Sequence, residues 1–273
     1  MSSAARAFGR VVIALDAPLF GDLAIHVARE IASSPALELL GLFVEDTRLL
    51  EHATAPLARE IALSGRDRPF ETSRLERALR AQAMLARGTF EQAAARAGLR
   101  HVFQVARGAF IDELLRAAAD AEALIVALGR SDGARIAGLA ALARARLRGL
   151  LFARETESAG KPILAVVQAA SEPGEPLQIA ARLALRVRSP LRVLPAAGLP
   201  DEALRAQIAA LRRSGIALEL LPPAAELTPE TIARHARDVS LSVVLSQDAS
   251  IDESLIETVL TKTRAALLLM RAE

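Results

Sequence analysis

Nine short apolar runs mark this chain, each separated from the next by a segment long enough to hold a helix. The clearest are "RVVIALD" (10–16), "ALIVAL" (123–128) and "LSVVLSQ" (241–247), continuous and rich in aliphatic residues. A strand that is apolar on both sides is one covered on both faces. Two such strands joined through a helix run parallel, with a right-handed crossover. That argues against hairpin-built sandwiches and barrels and for an α/β architecture: doubly wound, mostly parallel sheets with helices on both faces. The remaining runs are 36–46, 100–106, 161–167, 190–196, 216–222 and 265–271.

The segments between them carry helical periodicity. Phe20, Leu23, Val27 and Ile31 recur at the spacing of one helix face. A long helix is predicted from Ser73, with Glu76 completing a capping box, to about Ala97. Thr228 is an N-cap with Pro229 at the first helical position, and Ser250 with Glu253 forms a second capping box. Residues 47–70 read as a helical insertion with a turn at "SGRDRP", and residues 136–158 as helix-prone.

Two five-stranded units would need ten strands, and the sequence offers nine. Run 161–167 is the only strand candidate between the helix before Gly160 and the helix after Glu175. It closes a first unit, opens a second, or serves both. On this reading residues 1–168 form one unit and 169–273 a second, shortened one.

Composition narrows the function. Of 273 residues, 52% are hydrophobic and 24% charged, enough for a large core and too apolar for disorder. The net charge is only +2, with acidic and basic residues interleaved, and there is no Trp or Tyr. Neither a basic stripe nor stacking platforms are present, so no nucleic-acid partner is expected. The absence of cysteine excludes disulfides, thiolate chemistry and Cys-based zinc sites. Asp16 interrupts the first apolar run before a signal-peptide core forms, and no run approaches the ~18–20 residues needed to cross a bilayer. The expectation is a cytoplasmic protein with no membrane partner.

"ALIVALGRSDGARIAG" (123–138) carries the most suggestive local chemistry. Gly129 to Gly133 satisfy Gly-x-Ser-x-Gly, the turn on which hydrolases mount a nucleophilic serine, here Ser131. Catalysis needs a histidine in reach and an acid to orient it. The only histidine after Ser131 is His235, centred in a predicted helix, which speaks against a serine hydrolase. His26, His52, His101 and His235 show no metal-ligand spacing, so no metal is expected. There is no Walker motif, and the first βα turn lacks Gly-x-Gly-x-x-Gly. A Gly-rich turn after a strand also suits phosphates, whose negative charge meets backbone N–H groups there.

In order, "VVIALD", "LLGLFVED", Gly108 opening "GAFIDELLRAAADAEALIVALGRSDG", and "KPILAVV" resemble the universal stress protein family over residues 10–168. The second half resembles a shorter, degenerate copy, with "EPLQIAARLA" like the family's first helix and "LSVVLSQ" like its fourth strand. Nucleotide-binding members carry Gly-x2-Gly-x9-Gly-Ser/Thr after that strand, an Asp ending strand one, and a backbone contact in strand two. The resemblance thus implies an ATP or AMP site at Asp16, Val44, Gly129, Gly133 and Gly149. Departures accompany it. Asp132 stands where a second glycine belongs, Leu150 follows Gly149 where Ser or Thr is expected, and fifteen residues (134–148) separate Gly133 from Gly149. Arg130, Arg135, Arg144, Arg146 and Arg148 either compensate with charge or form a solvated helix face. In the second half Gln168 stands at the strand-one Asp position and no Gly-rich loop follows strand four.

The reading implied is a non-catalytic stress-response protein acting through an unidentified protein partner, its nucleotide binding weak or lost. The alternatives are a working ATP or AMP binder and, more remotely, a serine hydrolase. Single domains of this family pair through their last strands, so the two units either pair within the chain or build a homodimer.

Overall fold

The computed structural model describes residues 9–15, 22–32, 36–47, 59–61, 67–69, 72–128, 136–154, 160–168, 174–199, 201–245 and 249–271. The first half runs β1 (Gly9–Leu15), α1 (Asp22–Ile31), β2 (Leu37–Asp46), α2 (Thr72–Arg96), β5 (Arg100–Gly108), α3 (Phe110–Ala118), β6 (Ala123–Leu128), α4 (Ile136–Ala140), a 3-10 turn (Ala141–Arg144) and β7 (Gly149–Arg154). Between β2 and α2 lies an antiparallel hairpin, β3 (Arg59–Ile61) with β4 (Asp67–Pro69). The second half runs β8 (Ile163–Val167), α5 (Gly174–Val187), β9 (Leu191–Pro195), α6 (Glu202–Arg213), β10 (Leu218–Leu220), α7 (Pro229–His235), β11 (Leu241–Leu245), α8 (Ala249–Lys262) and β12 (Ala266–Met270).

The expected α/β fold is present, but its strands form one sheet of ten, ordered β10-β9-β8-β11-β12-β7-β6-β1-β2-β5. With the hairpin set aside, each half has its strands in the order third, second, first, fourth, fifth. The halves meet at their fifth strands. Every pairing in this sheet is parallel except that one, β7 with β12. The two halves therefore run in opposite directions, and their carboxyl-terminal strand ends face opposite ways.

Three sequence expectations change. The missing tenth strand is β7, inside the stretch read as helix-prone; among its described residues, 136–144 are helical. Run 161–167 supplies β8, which lies between β9 and β11 with β11 and β12 separating it from β7. The described parts of 47–70 are mainly the β3–β4 hairpin rather than helix, with its turn outside the described residues.

Burial explains the join. Leu150, Leu151 and Phe152 on β7 pair with Leu269, Leu268 and Leu267 on β12, and all six are buried. Two apolar clusters, one on each face of the sheet, continue across this seam and include residues of both halves. At about 25 cal/mol per Å2 of apolar surface, leaving these two strands in water would be a large loss on the scale of a protein's net stability.

Polar contacts clamp the seam reciprocally. Arg154, ending β7, donates from Nη1 to the Thr263 carbonyl at 2.7 Å and from Nη2 to the Leu260 carbonyl at 2.6 Å, both at the end of α8. Arg271, just after β12, donates from Nη1 to the Ala145 carbonyl at 2.7 Å and from Nη2 to the Ala143 carbonyl, at the end of the 3-10 turn. Each half thus closes the last helical turn of the other, where unsatisfied carbonyls favour a cation. On the same face Arg144 meets Glu253 at 2.5 Å. On the opposite face the nearly buried Glu30 of α1 accepts from Arg182 at 2.5 Å and Arg186 at 3.2 Å, both on α5.

Candidate functional site

In an open parallel sheet, ligands settle at the carboxyl ends of the strands, where the strand order reverses direction. This molecule has two such points, between β1 and β6 and between β8 and β11.

At the first, Leu15 pairs with Ala127, so β1 and β6 end side by side. Asp16 follows Leu15 in the chain and Gly129 follows Leu128, but Asp16, Gly129, Ser131, Asp132 and Gly133 lie outside the described residues, as do Arg130 and Arg135. Val44 is described. It lies on β2 opposite Ala106 of β5, two residues past the last β1–β2 pair, with its side chain buried against the cluster that includes Phe110 and Leu114.

Gly149 is elsewhere. It opens β7 opposite Ala123, at the amino ends of the parallel strands, and in register it stands level with Val11 and Leu39. Val44 is five residues further along that level, about 17 Å at ~3.3 Å per residue. Gly149 therefore does not converge with the carboxyl ends of β1 and β6. Packing explains the glycine instead: a Cβ there would sit 2.7 Å from the Ile31 side chain of α1. Its neighbour Leu150 is buried in the core rather than offering a donor. Of the compensating arginines, Arg144 is held by Glu253 across the seam, and Arg148 offers its carbonyl to the Arg271 amide at 2.9 Å. Of the glycines of the implied phosphate loop, Gly149 alone lies among the described residues, and it is not at these strand ends.

His235 ends α7 in the second half. Burial, then the Arg234 and Arg192 charges, hold its imidazole below the usual histidine value. Two cations nearby are the opposite of a carboxylate that would orient a catalytic base.

At the second reversal point there is a cavity of about 250 Å3. Gln168, directly after β8, and Ala196, directly after β9, line one side, with Val244 and Leu245 from the end of β11. Leu227, Pro229 and Ile232 enter from the start of α7, and Asp252 and Leu255 from α8. Among the described residues that line it, Gln168 and Asp252 have polar side chains and the rest are apolar. Thr228 caps α7 as expected, its Oγ1 accepting from the Thr231 amide at 3.2 Å, and so fixes the Pro229 wall. Asp252 is 2% exposed and stands in the first turn of α8. A carboxylate there answers the helix's own positive end, the place a phosphate would otherwise take.

The sequence noted Gln168 only as a departure at the strand-one Asp position, a reason to expect no nucleotide in this half, and it missed Asp252 altogether. "SIDES" reads locally as a capping box, and nothing in its spacing says that Asp252 turns inward. Among the described residues no group of His, Asp and Glu could hold a metal ion, and no helix is long and apolar enough to cross a membrane.

The fold is that of the universal stress proteins, an α/β class built on this strand order. A universal stress protein from Archaeoglobus fulgidus DSM 4304 superposes with a TM-score of 0.56 at 13% identity, covering 96% of each chain. A protein described as a universal stress protein from Pseudomonas aeruginosa UCBPP-PA14 gives 0.52 at 17% identity, covering 97% of this chain and 93% of that one. A functionally unknown protein from Pseudomonas aeruginosa PAO1 gives 0.52 at 15% identity, with 96% and 92% covered. No family model and no curated protein matches the chain. At these identities the likeness is one of fold.

Proposed function

We propose that this protein is a non-catalytic member of the universal stress protein family, two fused units acting through protein contacts, with nucleotide binding weak or lost. The observation that carries this is the position of Gly149, at the amino end of β7 and packed on Ile31, where a phosphate loop has no use for it. The unit boundary then falls between β7 and β8, within 155–162.

One observation favours a second reading. The adjacent ends of β1 and β6 leave Asp16 and Gly129 as immediate chain neighbours of paired strand ends, so the first unit retains a framework for ATP or AMP. Calorimetry with ATP and AMP separates the two. The expected result is no saturable binding at millimolar nucleotide. Binding below about 100 μM that Asp16→Arg abolishes would establish the second reading and end the first.

A further inference from the structure

The sheet ends differently at its two edges. β10 is short, with three residues, which is one of the usual protections of an edge. β5 lacks the others: it has nine residues, no proline, and an unbroken register from Arg100 opposite Glu38 to Gly108 opposite Asp46. Among the described residues no strand lies beyond it. Alternate residues of such a strand turn an N–H and a C=O away from the sheet, where another strand can meet them.

Rows of residues across the strands define the kind of strand that fits. Residues level with one another on neighbouring strands share a face and interact. One row runs from Arg10 on β1 through Glu38 on β2 to Arg100 on β5. Its charges alternate, and the Arg10 guanidinium donates to Glu38 at 3.1 Å. A second row runs from Glu45 to Arg107. Both rows stop at the edge on an exposed arginine, and β5 has no acidic residue. Between them, Val12 and Leu40 lead to Val102, and Phe43 leads to Val105. Val12 and Phe43 are buried, whereas Val102 is 51% and Val105 47% exposed, so these two apolar rows run out of cover. Continuing all four rows by one strand calls for a carboxylate, an apolar residue, an apolar residue and a carboxylate, at the first, third, sixth and eighth places of an extended segment. That pattern reads the same from either end, so parallel and antiparallel addition both satisfy it. A second β5 laid along the first does not, because in either direction arginine comes to stand opposite arginine.

We propose that the free edge of β5 takes up, by strand addition, an extended segment of a partner protein with carboxylates at both ends of eight residues and apolar side chains at the third and sixth. The inference rests on the reading that this protein acts through protein contacts, and it names the surface and the chemistry of the partner. Main-chain hydrogen bonds supply the affinity of such an addition, and the four rows supply its selectivity.

Amide-resolved NMR of the full chain tests this with a capped peptide of sequence Glu-Thr-Val-Thr-Thr-Val-Thr-Glu. Saturable shifts are expected, centred on residues 100–108, with slower amide exchange in the same stretch. A peptide with lysine at both ends, and one with serine in place of both valines, should each bind at least tenfold more weakly. Arg100→Glu combined with Arg107→Glu should reverse the choice and favour the lysine peptide. Should that double variant fail to fold, Val105→Glu, at an exposed position, takes its place and should weaken the glutamate peptide tenfold or more. The proposal is overturned if the glutamate peptide gives no shifts at 5 mM, if its shifts centre elsewhere, if either control peptide binds as well, or if the folded variant keeps the original affinities. Nucleotide calorimetry keeps the two readings apart. Tight ATP binding with peptide binding intact would end the non-nucleotide reading and leave this one standing, whereas a failed peptide without ATP binding would end this one alone.

Discussion

Gly149 shows how one residue separates two explanations of the same letter. As a phosphate-loop glycine, its replacement would cost nucleotide affinity and little stability. As a packing glycine, it would cost stability alone, because a Cβ 2.7 Å from Ile31 must push that side chain or the helix that carries it. Gly149→Ala should therefore lower stability by about 1–3 kcal/mol in urea unfolding, the usual cost of overfilling a core. Ile31→Val in the same chain should recover part of that loss, and strict additivity of the two changes would sink the packing account. His235 makes a second prediction at this scale. Its proton is held less tightly in the folded chain than the ordinary 6.5, chiefly because it is partly buried. The unfolded chain then takes up the proton first, so this contribution is intact above pH 6.5 and is lost as pH falls below it. Urea midpoints should drop between pH 7.5 and 5.5, and His235→Gln should flatten that drop; an unchanged slope would mean that other groups carry it.

At the scale of elements, the seam is held by strands that pair and by arginines that exchange helix ends. Arg154→Met removes two bonds to carbonyls at the end of α8, and Arg271→Met two at the end of the 3-10 turn. Each should cost about 1–3 kcal/mol, since charged donors to backbone are worth more than neutral ones. Hydrogen exchange distinguishes the reciprocal arrangement from general loosening: Arg154→Met should speed exchange in 258–264 of the other half, and Arg271→Met in 142–148. Exchange that rises only near the substituted residue would contradict it. These elements were unequally legible in the sequence. Strands β1, β6, β11 and β12 could be read directly, because each is apolar on both sides and bounded by polar residues. Strand β7 could not. "ARARLRGLLFARE" is mostly alanine, leucine and arginine, strong helix formers broken by Gly149 and Phe152, and its place between β6 and β12 makes 149–154 extended. Glu253 repeats the lesson in reverse: local spacing assigns it to a capping box with Ser250, while the fold gives it to Arg144 more than a hundred residues away. Thr228 kept its local role, its Oγ1 accepting from the Thr231 amide within the same turn. The cavity was not legible in the sequence: Gln168 stood out only as a departure from the strand-one Asp, and the burial of Asp252 depends on where α8 lies against the sheet.

The molecule as a whole follows from spending both fifth strands on each other. A homodimer built through those strands has no free edge left, for β7 and β12 each have a partner on both sides. The outer edges are unequal: β10 has three residues, while β5 has nine and carries the exposed Arg100 and Arg107 that discourage another strand from joining. The full chain is therefore expected as a monomer of 29.0 kDa by light scattering. It should also unfold as one unit. Two apolar clusters run uninterrupted through both halves, so opening the seam exposes core on each side and neither half gains by unfolding alone. Circular dichroism and hydrogen exchange of β1 and β8 should give coincident urea transitions. Residues 1–159 expressed alone should then self-associate, because Leu150, Leu151 and Phe152 are left on a bare edge whose complement is another copy of itself. A fragment that stays monomeric with the full chain's protection at β6 and β7, or a full chain that melts in two separated steps, would show that the seam merely joins two independent units.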